Sequence, residues 1–300
     1  MGLLMGKIGW TTSTTATQES PSLTSVVPAR RRMPLQGAPT LSALVVAHDE
    51  EKRLPACLAS LAFADEIVVT LDRCRDQSAA VAQRAGARIV AGGWELEGPR
   101  RNAGIAACRG AWILEVDADE RVTPALAAEI RTAIATAEDG YFLIPLANHI
   151  GERRVRFGWG AYNGPAAKAC LFKAGGKDWG AGRVHPKIAL RGARQQLREP
   201  LLHYIYRDYT DMIARLNRYT ELAARDALDR GQSLRLRDAF RCIFSRAWKS
   251  YIARRGYREG VDGIALALAS ALYPMLVYLK WAELSAAGRP CPALRRGDSP

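Results

Sequence analysis

The 300-residue sequence is poor in histidine, with four, and its six cysteines form neither a Cys-x-x-Cys pair nor a Cys/His cluster at zinc spacing. That pattern offers no structural zinc module. Cys57, Cys74, Cys108, Cys170, Cys242 and Cys291 read as reduced thiols, several of them inside apolar helical patterns. No Gly-x-Gly-x-x-Gly follows the first apolar run, where His48-Asp49-Glu50-Glu51 stands instead, so a dinucleotide-dependent oxidoreductase is disfavoured. Residues 1–38 hold no apolar stretch long enough for a secretory signal core, and they read as a disordered N-terminal tail. No internal repeat is evident, and no helix-turn-helix, RNA-recognition or zinc-finger signature accompanies the basic charge.

What is present is a globular composition, 48% hydrophobic and 24% charged, with a net charge of +13. The positive balance favours polyanionic neighbours without choosing among nucleic acid, anionic lipid and phosphorylated substrates. From Leu41 the pattern becomes regular. Leu41–Ala47 has the length of a buried strand, and Leu54–Ala62 places Leu54, Cys57, Leu58 and Leu61 on one helical face. Ile67–Leu71 predicts a second strand, followed by a helix near Ser78–Ala85 and a short strand at Ile89–Val90. Gly98–Ala107 reads as a helix, Trp112–Val116 as a strand, Pro124–Ala137 as a helix capped by Thr123, and Tyr141–Ile144 as a strand. Strands alternating with helices predict a doubly wound, mostly parallel α/β sheet, in which ligands bind beyond the carboxyl ends of the strands. Between 146 and 200 only Ala169–Phe172 looks strand-like, and the chain turns helical over Tyr209–Arg230, Leu234–Arg254 and Val261–Leu284.

Asp117-Ala118-Asp119-Glu120 follows the strand Trp112–Val116 directly. Two carboxylates separated by one small residue at a strand end are hard oxygen ligands suited to a divalent cation on a diphosphate, where the cation acts as a Lewis acid for the leaving nucleotide. A solvated acidic turn ahead of a helix is the alternative reading. Asp72, closing the second strand, suits a uracil or ribose contact, and Glu50 at the first strand end faces either a nucleotide or water. Asp76 reads as an N-cap. Arg100-Arg101-Asn102 opens a helix, where guanidinium forks and the helix N-terminus both favour phosphate.

These segments resemble glycosyltransferase family 2, inverting enzymes of the GT-A fold, in the branch of lipopolysaccharide-core β-1,4-glucosyltransferase-like proteins. The residues that carry the likeness are 41–51 (LSALVVAHDEE), 64–78 (ADEIVVTLDRCRDQS), 98–124 (GPRRNAGIAACRGAWILEVDADERVTP) and 201–226 (LLHYIYRDYTDMIARLNRYTELAARD). The resemblance implies a nucleotide-sugar donor, UDP-linked, and a divalent metal, Mg or Mn. It places Glu50 and Asp72 at the nucleoside, matches Arg101 and Asn102 to the family's Arg-Asn pair, and gives Asp117 and Asp119 to the metal-diphosphate. Two departures stand out: Arg73-Cys74-Arg75 replaces a Ser/Gly/Thr-rich turn, and Val184-His185-Pro186 stands where the family commonly has Val-His-Glu.

Inverting transfer needs a base for the acceptor hydroxyl. With Pro186 in the glutamate position, the candidates are Asp178 and His185, the latter also a candidate metal ligand. His203-Tyr204 and Arg207-Asp208 read either as packing of the helical tail on the catalytic domain, the favoured reading, or as contacts to a phosphorylated acceptor. Leu234–Arg258 mixes Arg and Lys with Phe240, Ile243, Phe244, Trp248, Tyr251 and Ile252, a pattern that reads either as a helix on an anionic membrane surface or as one packed on the core with a solvated basic face. Residues 263–279 carry no charge and contain Pro274, and their pattern leaves spanning, interfacial and buried placements open. The expected organisation is a disordered tail over 1–38, a GT-A-like catalytic domain over 39–205, a basic apolar helical tail over 206–287 in contact with the membrane, and a disordered 288–300. The expected activity is hexose transfer to a cell-envelope glycan or lipid-linked acceptor, peripheral to the inner face of the cytoplasmic membrane. The alternatives are a catalytically impaired scaffold, raised by Pro186, and a basic nucleic-acid-binding protein.

Overall fold

A computed structural model describes residues 26–27, 39–162, 166–180 and 187–287. His185 and Pro186, residues 288–300 and most of 1–38 lie outside the described residues. A two-residue strand β1 (Val26–Val27) precedes β2 (Leu41–Ala47), β3 (Glu66–Asp72), β4 (Arg88–Gly92) and β5 (Trp112–Asp117). The last four pair in parallel, in the order β4-β3-β2-β5, with β1 antiparallel on the β4 edge. The parallel core reads as apolar runs because both faces are covered; all seven residues of β2 are buried.

Helices α1 (Leu54–Ser60), α2 (Ser78–Arg84) and α4 (Pro124–Thr136) share one apolar cluster with Leu41, Val45, Val69 and Trp112. Helix α3 (Glu97–Ala107) covers the opposite face, over Leu44, Val68, Ile113 and Phe172. Fully burying side chains such as Leu41, Leu44 and Phe172 contributes about 1.5–3 kcal/mol each as an upper bound. Thr123 caps α4 as expected, accepting from the Leu126 N–H at 3.1 Å. At α2 the N-cap position is Gln77, and Asp76 instead accepts from the Ser78 N–H at 2.9 Å.

Beyond β5 come β6 (Glu120–Arg121), β7 (Tyr141–Ile150), β8 (Arg153–Arg154), β9 (Ala167–Lys173), β10 (Lys177–Trp179), β11 (Ile188–Leu190), β12 (Arg194–Gln196) and β13 (Leu201–Tyr206). β9 lies antiparallel to β5 and β7, β13 runs parallel to β7, and β6 closes that edge. The result is the GT-A-like α/β arrangement: a mixed, mostly parallel sheet followed by C-terminal helices. The second half holds more strand than its sequence suggests. β10, β11 and β12 are three residues each, too short for a period to register, and β13 interleaves Leu201 and Ile205 with histidine and tyrosine.

Helices α5 (Tyr209–Asp229), α6 (Leu236–Trp248) and α7 (Val261–Ala287) complete the described chain. The single helix expected over Leu234–Arg254 ends at Trp248, and a π turn (Lys249–Ala253) and a 3₁₀ turn (Gly256–Glu259) lead into α7. The Glu259 carboxylate accepts from the backbone N–H groups of Arg156 and Phe157 at 2.8 and 2.9 Å, and Arg153 meets Asp262 at 2.6 Å. Those contacts tie the helical layer to the sheet.

Candidate active site

The carboxyl ends of β2, β3 and β5 converge on one edge, and α5 crosses in front of it. A cavity of about 820 Å³ lies between them. His48, Glu50, Arg100, Arg101, Asp117, Asp119 and His203 form its sheet side, and Arg215, Arg218, Tyr219 and Leu222 come from α5. The turns leaving β2 and β3 hold Asp49 and Arg73 at φ 54° and 48°, a left-handed backbone that non-glycine residues adopt at a cost and that clusters at functional sites.

Asp117 ends β5 with both oxygens engaged, Lys168 Nζ at 2.7 Å and Arg101 at 3.1 Å. Burial opposes its ionisation, but the charges of Arg101 and Lys168 outweigh that and hold the carboxyl well below its ordinary range. Behind it, fully buried Glu115 receives Arg101 and Lys177, each at 2.6 Å, so with Lys168 and Asp117 five charges interlock beneath the site. The Trp179 ring lies 4.7 Å from the Arg101 guanidinium. Glu120 turns inward to Lys168 at 2.9 Å, and burial pushes its carboxyl up to about 7.

Asp119 faces Arg53 at 3.3 Å, Arg215 at 3.5 Å and His203 Nε2 at 3.9 Å. Burial raises its carboxyl above the ordinary value. The other ring nitrogen of His203, Nδ1, lies 2.8 Å from Asn148 Oδ1. An amide oxygen accepts only, so Nδ1 carries the proton and Nε2 presents a lone pair toward Asp119. Burial lowers the His203 pKa, which favours that neutral ring. This is the tautomer a metal-ligating histidine adopts. Asp117, Asp119 and His203 therefore offer the donor chemistry of a divalent-cation site, hard oxygens and a borderline nitrogen with a second partner orienting it, although their ligand atoms do not all lie within 4.8 Å of one another. Lys168 and Arg101 would share the Asp117 oxygens with the ion, which two lone pairs per oxygen permit. Among the described residues, the one trio of ligand atoms within 4.8 Å of one another is Asp49, Cys74 and Asp76. Its carboxylates are occupied by the N–H groups of Arg75, Glu51 and Ser78.

The other sequence-derived residues separate. Glu50 lines the cavity, and burial pushes its carboxyl up to about 6. Arg101 lines it as well. Asp72 does not: its buried carboxylate is taken by Arg73 at 3.1 Å, Arg100 at 3.2 Å and the Trp94 N–H at 3.1 Å. Those hydrogen bonds and charges outweigh burial and hold its pKa low. Asn102 acts as a clamp. Its Nδ2 donates to the Trp179 carbonyl at 2.8 Å and to Asp178 at 3.1 Å, and its Oδ1 accepts from the Trp179 N–H at 3.0 Å. Asp178 is exposed on β10 and outside the cavity wall. His185 lies outside the described residues. Lys168, Arg53, Arg215 and His203 have no local sequence signal for this site, because each reaches Asp117 or Asp119 from another element.

Residues 42–165 match the family model described as Glycosyl transferase family 2. An uncharacterized glycosyltransferase of Rickettsia conorii is 23% identical over 82% of this chain and 90% of its own length. The lipopolysaccharide core biosynthesis glycosyltransferase LpsC of Rhizobium meliloti is 25% identical over 80% of this chain and 91% of its own. Among solved structures, glucosyl-3-phosphoglycerate synthase of Mycobacterium tuberculosis, in complex with Mn2+, UDP and glucosyl-3-phosphoglycerate, aligns at 21% identity with a TM-score of 0.32. That alignment covers 37% of this chain and 44% of the other.

Proposed function

We propose, for a chain that is a glycosyltransferase carrying a family 2 domain at residues 42–165, that it moves a hexose from a UDP-linked donor to a cell-envelope glycan or lipid-linked acceptor, with inversion. The observation that carries this reading is the cavity in which Asp117, Asp119 and His203 meet the arginines of α3 and α5. Asp119 and His203, with Asp117, would hold a Mg or Mn ion. Bound there, the ion supplies a Lewis acid that neutralises charge developing on the departing diphosphate.

The chain's own groups do the rest. Arg100 lines the cavity from the first turn of α3, held by Asp72 on one nitrogen, and is the guanidinium there that can reach phosphate oxygens, while Arg101 beside it is engaged by Glu97, Glu115 and Asp117. Lys168 and Arg101 keep Asp117 ionised at any working pH. Glu50 sits at the β2 end, where it meets the nucleoside side of the donor. Asp72 supports the nucleoside pocket from behind, by fixing Arg100 and the Trp94 backbone. We assign the acceptor proton to Asp178, an exposed carboxylate outside the cavity wall that Asn102 holds next to Trp179, whose ring lies over Arg101. The relation to LpsC supports lipopolysaccharide core or a related envelope glycan as the acceptor, and the cytoplasmic face of the inner membrane as the place of work.

Titration calorimetry with several UDP- and GDP-sugars, with and without Mn, tests the reading on the wild type, Asp119→Ala and Asp178→Asn. The expected result is metal-dependent binding of a UDP-hexose, lost in Asp119→Ala. Asp178→Asn should keep donor binding and lose about 10²–10⁴ in turnover. Metal-independent binding that survives in Asp119→Ala would overturn the site.

A further inference from the structure

Helix α6 and the π turn after it expose Leu236, Phe240, Phe244, Trp248 and Ile252, one large apolar side chain every fourth residue. Phe244 and Trp248 are each 65% exposed, and Phe240 and Phe244 meet edge to face at 5.5 Å. A four-residue spacing on a helix keeps successive side chains on neighbouring positions of one slowly winding ridge. The buried side of α6 is elsewhere, at Ala239 and the adjoining Ser250. This ridge is therefore only partly covered by the packing of α6. A soluble monomer rarely exposes so continuous an apolar row without a use for it.

The charge around the ridge decides what covers it. Residues 230–258 hold nine arginines and lysines against one acid, Asp238, so most of the net +13 of the chain is concentrated there. Arg237 and Arg241 follow Leu236 and Phe240 directly and are exposed. A second copy of this chain would bring like charge to like charge. An acidic, apolar-cored surface complements both features.

Helix α7 is the one helix among the described residues long and apolar enough to cross a membrane, over 261–286. It is strapped down along its length instead. Asp262 at its start meets Arg153 at 2.6 Å and the Tyr209 hydroxyl at 2.6 Å. Lys280, five turns on, reaches the Asn217 side chain at 2.7 Å and Thr220 at 2.9 Å on α5. A helix bound at both ends to α5 and to the β8 segment of the sheet lies along the protein and cannot stand across a bilayer without losing those contacts.

We propose that the α6 ridge from Leu236 to Ile252 is a monotopic docking surface for an anionic lipid bilayer: its aromatics enter the headgroup region, Arg237 and Arg241 meet lipid phosphates, and α7 does not span. The proposal deepens the envelope-acceptor reading and gives it a membrane contact, but lipid binding can fail or succeed independently of donor binding. Aromatic side chains supply the apolar contact, and the basic flanks add attraction that salt screens.

Full-length protein is sedimented with vesicles of equal parts phosphatidylcholine and phosphatidylglycerol, and with phosphatidylcholine alone. The wild type is expected to bind the anionic vesicles, to bind the neutral ones weakly, and to be released by high salt. The triple variant Phe240→Ser/Phe244→Ser/Trp248→Ser is expected to lose on the order of a hundredfold in partitioning, and Arg237→Gln and Arg241→Gln roughly fivefold each. All variants should bind the UDP-hexose as the wild type does, which shows that they fold and separates this test from the donor-site reading. Vesicle binding unchanged in the triple variant overturns the proposal. So does equal binding to neutral vesicles, resistance of membrane-bound protein to alkaline carbonate (the mark of a spanning α7), or a wild-type dimer that the triple variant converts to monomer without any lipid binding.

Discussion

His203 owes its chemistry to a residue far away in sequence. Asn148, on β7, accepts from its Nδ1 and leaves Nε2 facing Asp119. Replacing Asn148 with alanine frees the ring to rotate and to change tautomer, so metal affinity should fall about 10–100-fold, as is typical when a partner behind a ligand is removed. Manganese titration followed by calorimetry reads this, with the melting temperature as a control, because Asn148 also donates to the Gly160 carbonyl at 2.7 Å. Glu50 makes a second, pH-dependent statement. Burial raises its carboxyl from 4.5 to about 6, so between those pH values the folded chain keeps a proton the unfolded chain has released. Stability must therefore decline as pH rises through that window, and the full cost stands above pH 6. Glu50→Gln removes the effect. In urea unfolding the variant should gain no more than about 1 kcal/mol on the wild type above pH 6, after allowance for solvent screening, and the gap should close below pH 4.5. The acidic pair was legible in sequence because a strand end plus two closely spaced carboxylates is a local pattern. His203, Lys168, Arg53 and Arg215 were not, because each reaches Asp117 or Asp119 from another element.

At the scale of elements, the clearest sequence signals were the buried parallel strands, whose short apolar runs are β-branched-rich and too short for helices. β13 was missed because its six residues mix Leu and Ile with His and two Tyr, and β10 to β12 because three residues carry no period. Yet β10 is functionally consequential: it holds Lys177, Asp178 and Trp179, all tied to α3 or β5. Helix α3 can approach β10 only because residue 98 is glycine. A Cβ there would collide with the Gly180 carbonyl oxygen, which is backbone and cannot step aside. Gly98→Ala should therefore push α3 off β10, loosen the Asn102 clamp and cost about 1–3 kcal/mol or more. Thermal unfolding measures the loss. A Tm equal to that of the wild type would mean that α3 and β10 are not in the contact described.

For the molecule as a whole, the question is whether α5 belongs to the site or merely follows it. Four charges answer it: Arg53 meets Asp119 at 3.3 Å and Asp211 at 2.5 Å, and Arg215 meets the same two acids, each at 3.5 Å. The alternating ring joins the acidic turn after β5, the start of α1 and the first turns of α5. A dication on Asp119 and a diphosphate beside it would compete for three of these groups, so donor binding must be felt along α5. The expected outcome is slower amide hydrogen exchange in residues 211–219 when Mn and UDP are added. With ligand at a hundred times its Kd, binding to the closed form alone adds about 2.7 kcal/mol, which slows exchange through any opening that breaks the site about a hundredfold. Asp119→Asn should abolish that protection, while leaving exchange in β2 and β3 no faster than in the free wild type. If α5 exchanged at the same rate with and without ligand while donor binding was intact, the ring would be a resting-state contact only. The helical layer would then be a separate unit resting on a self-sufficient catalytic domain.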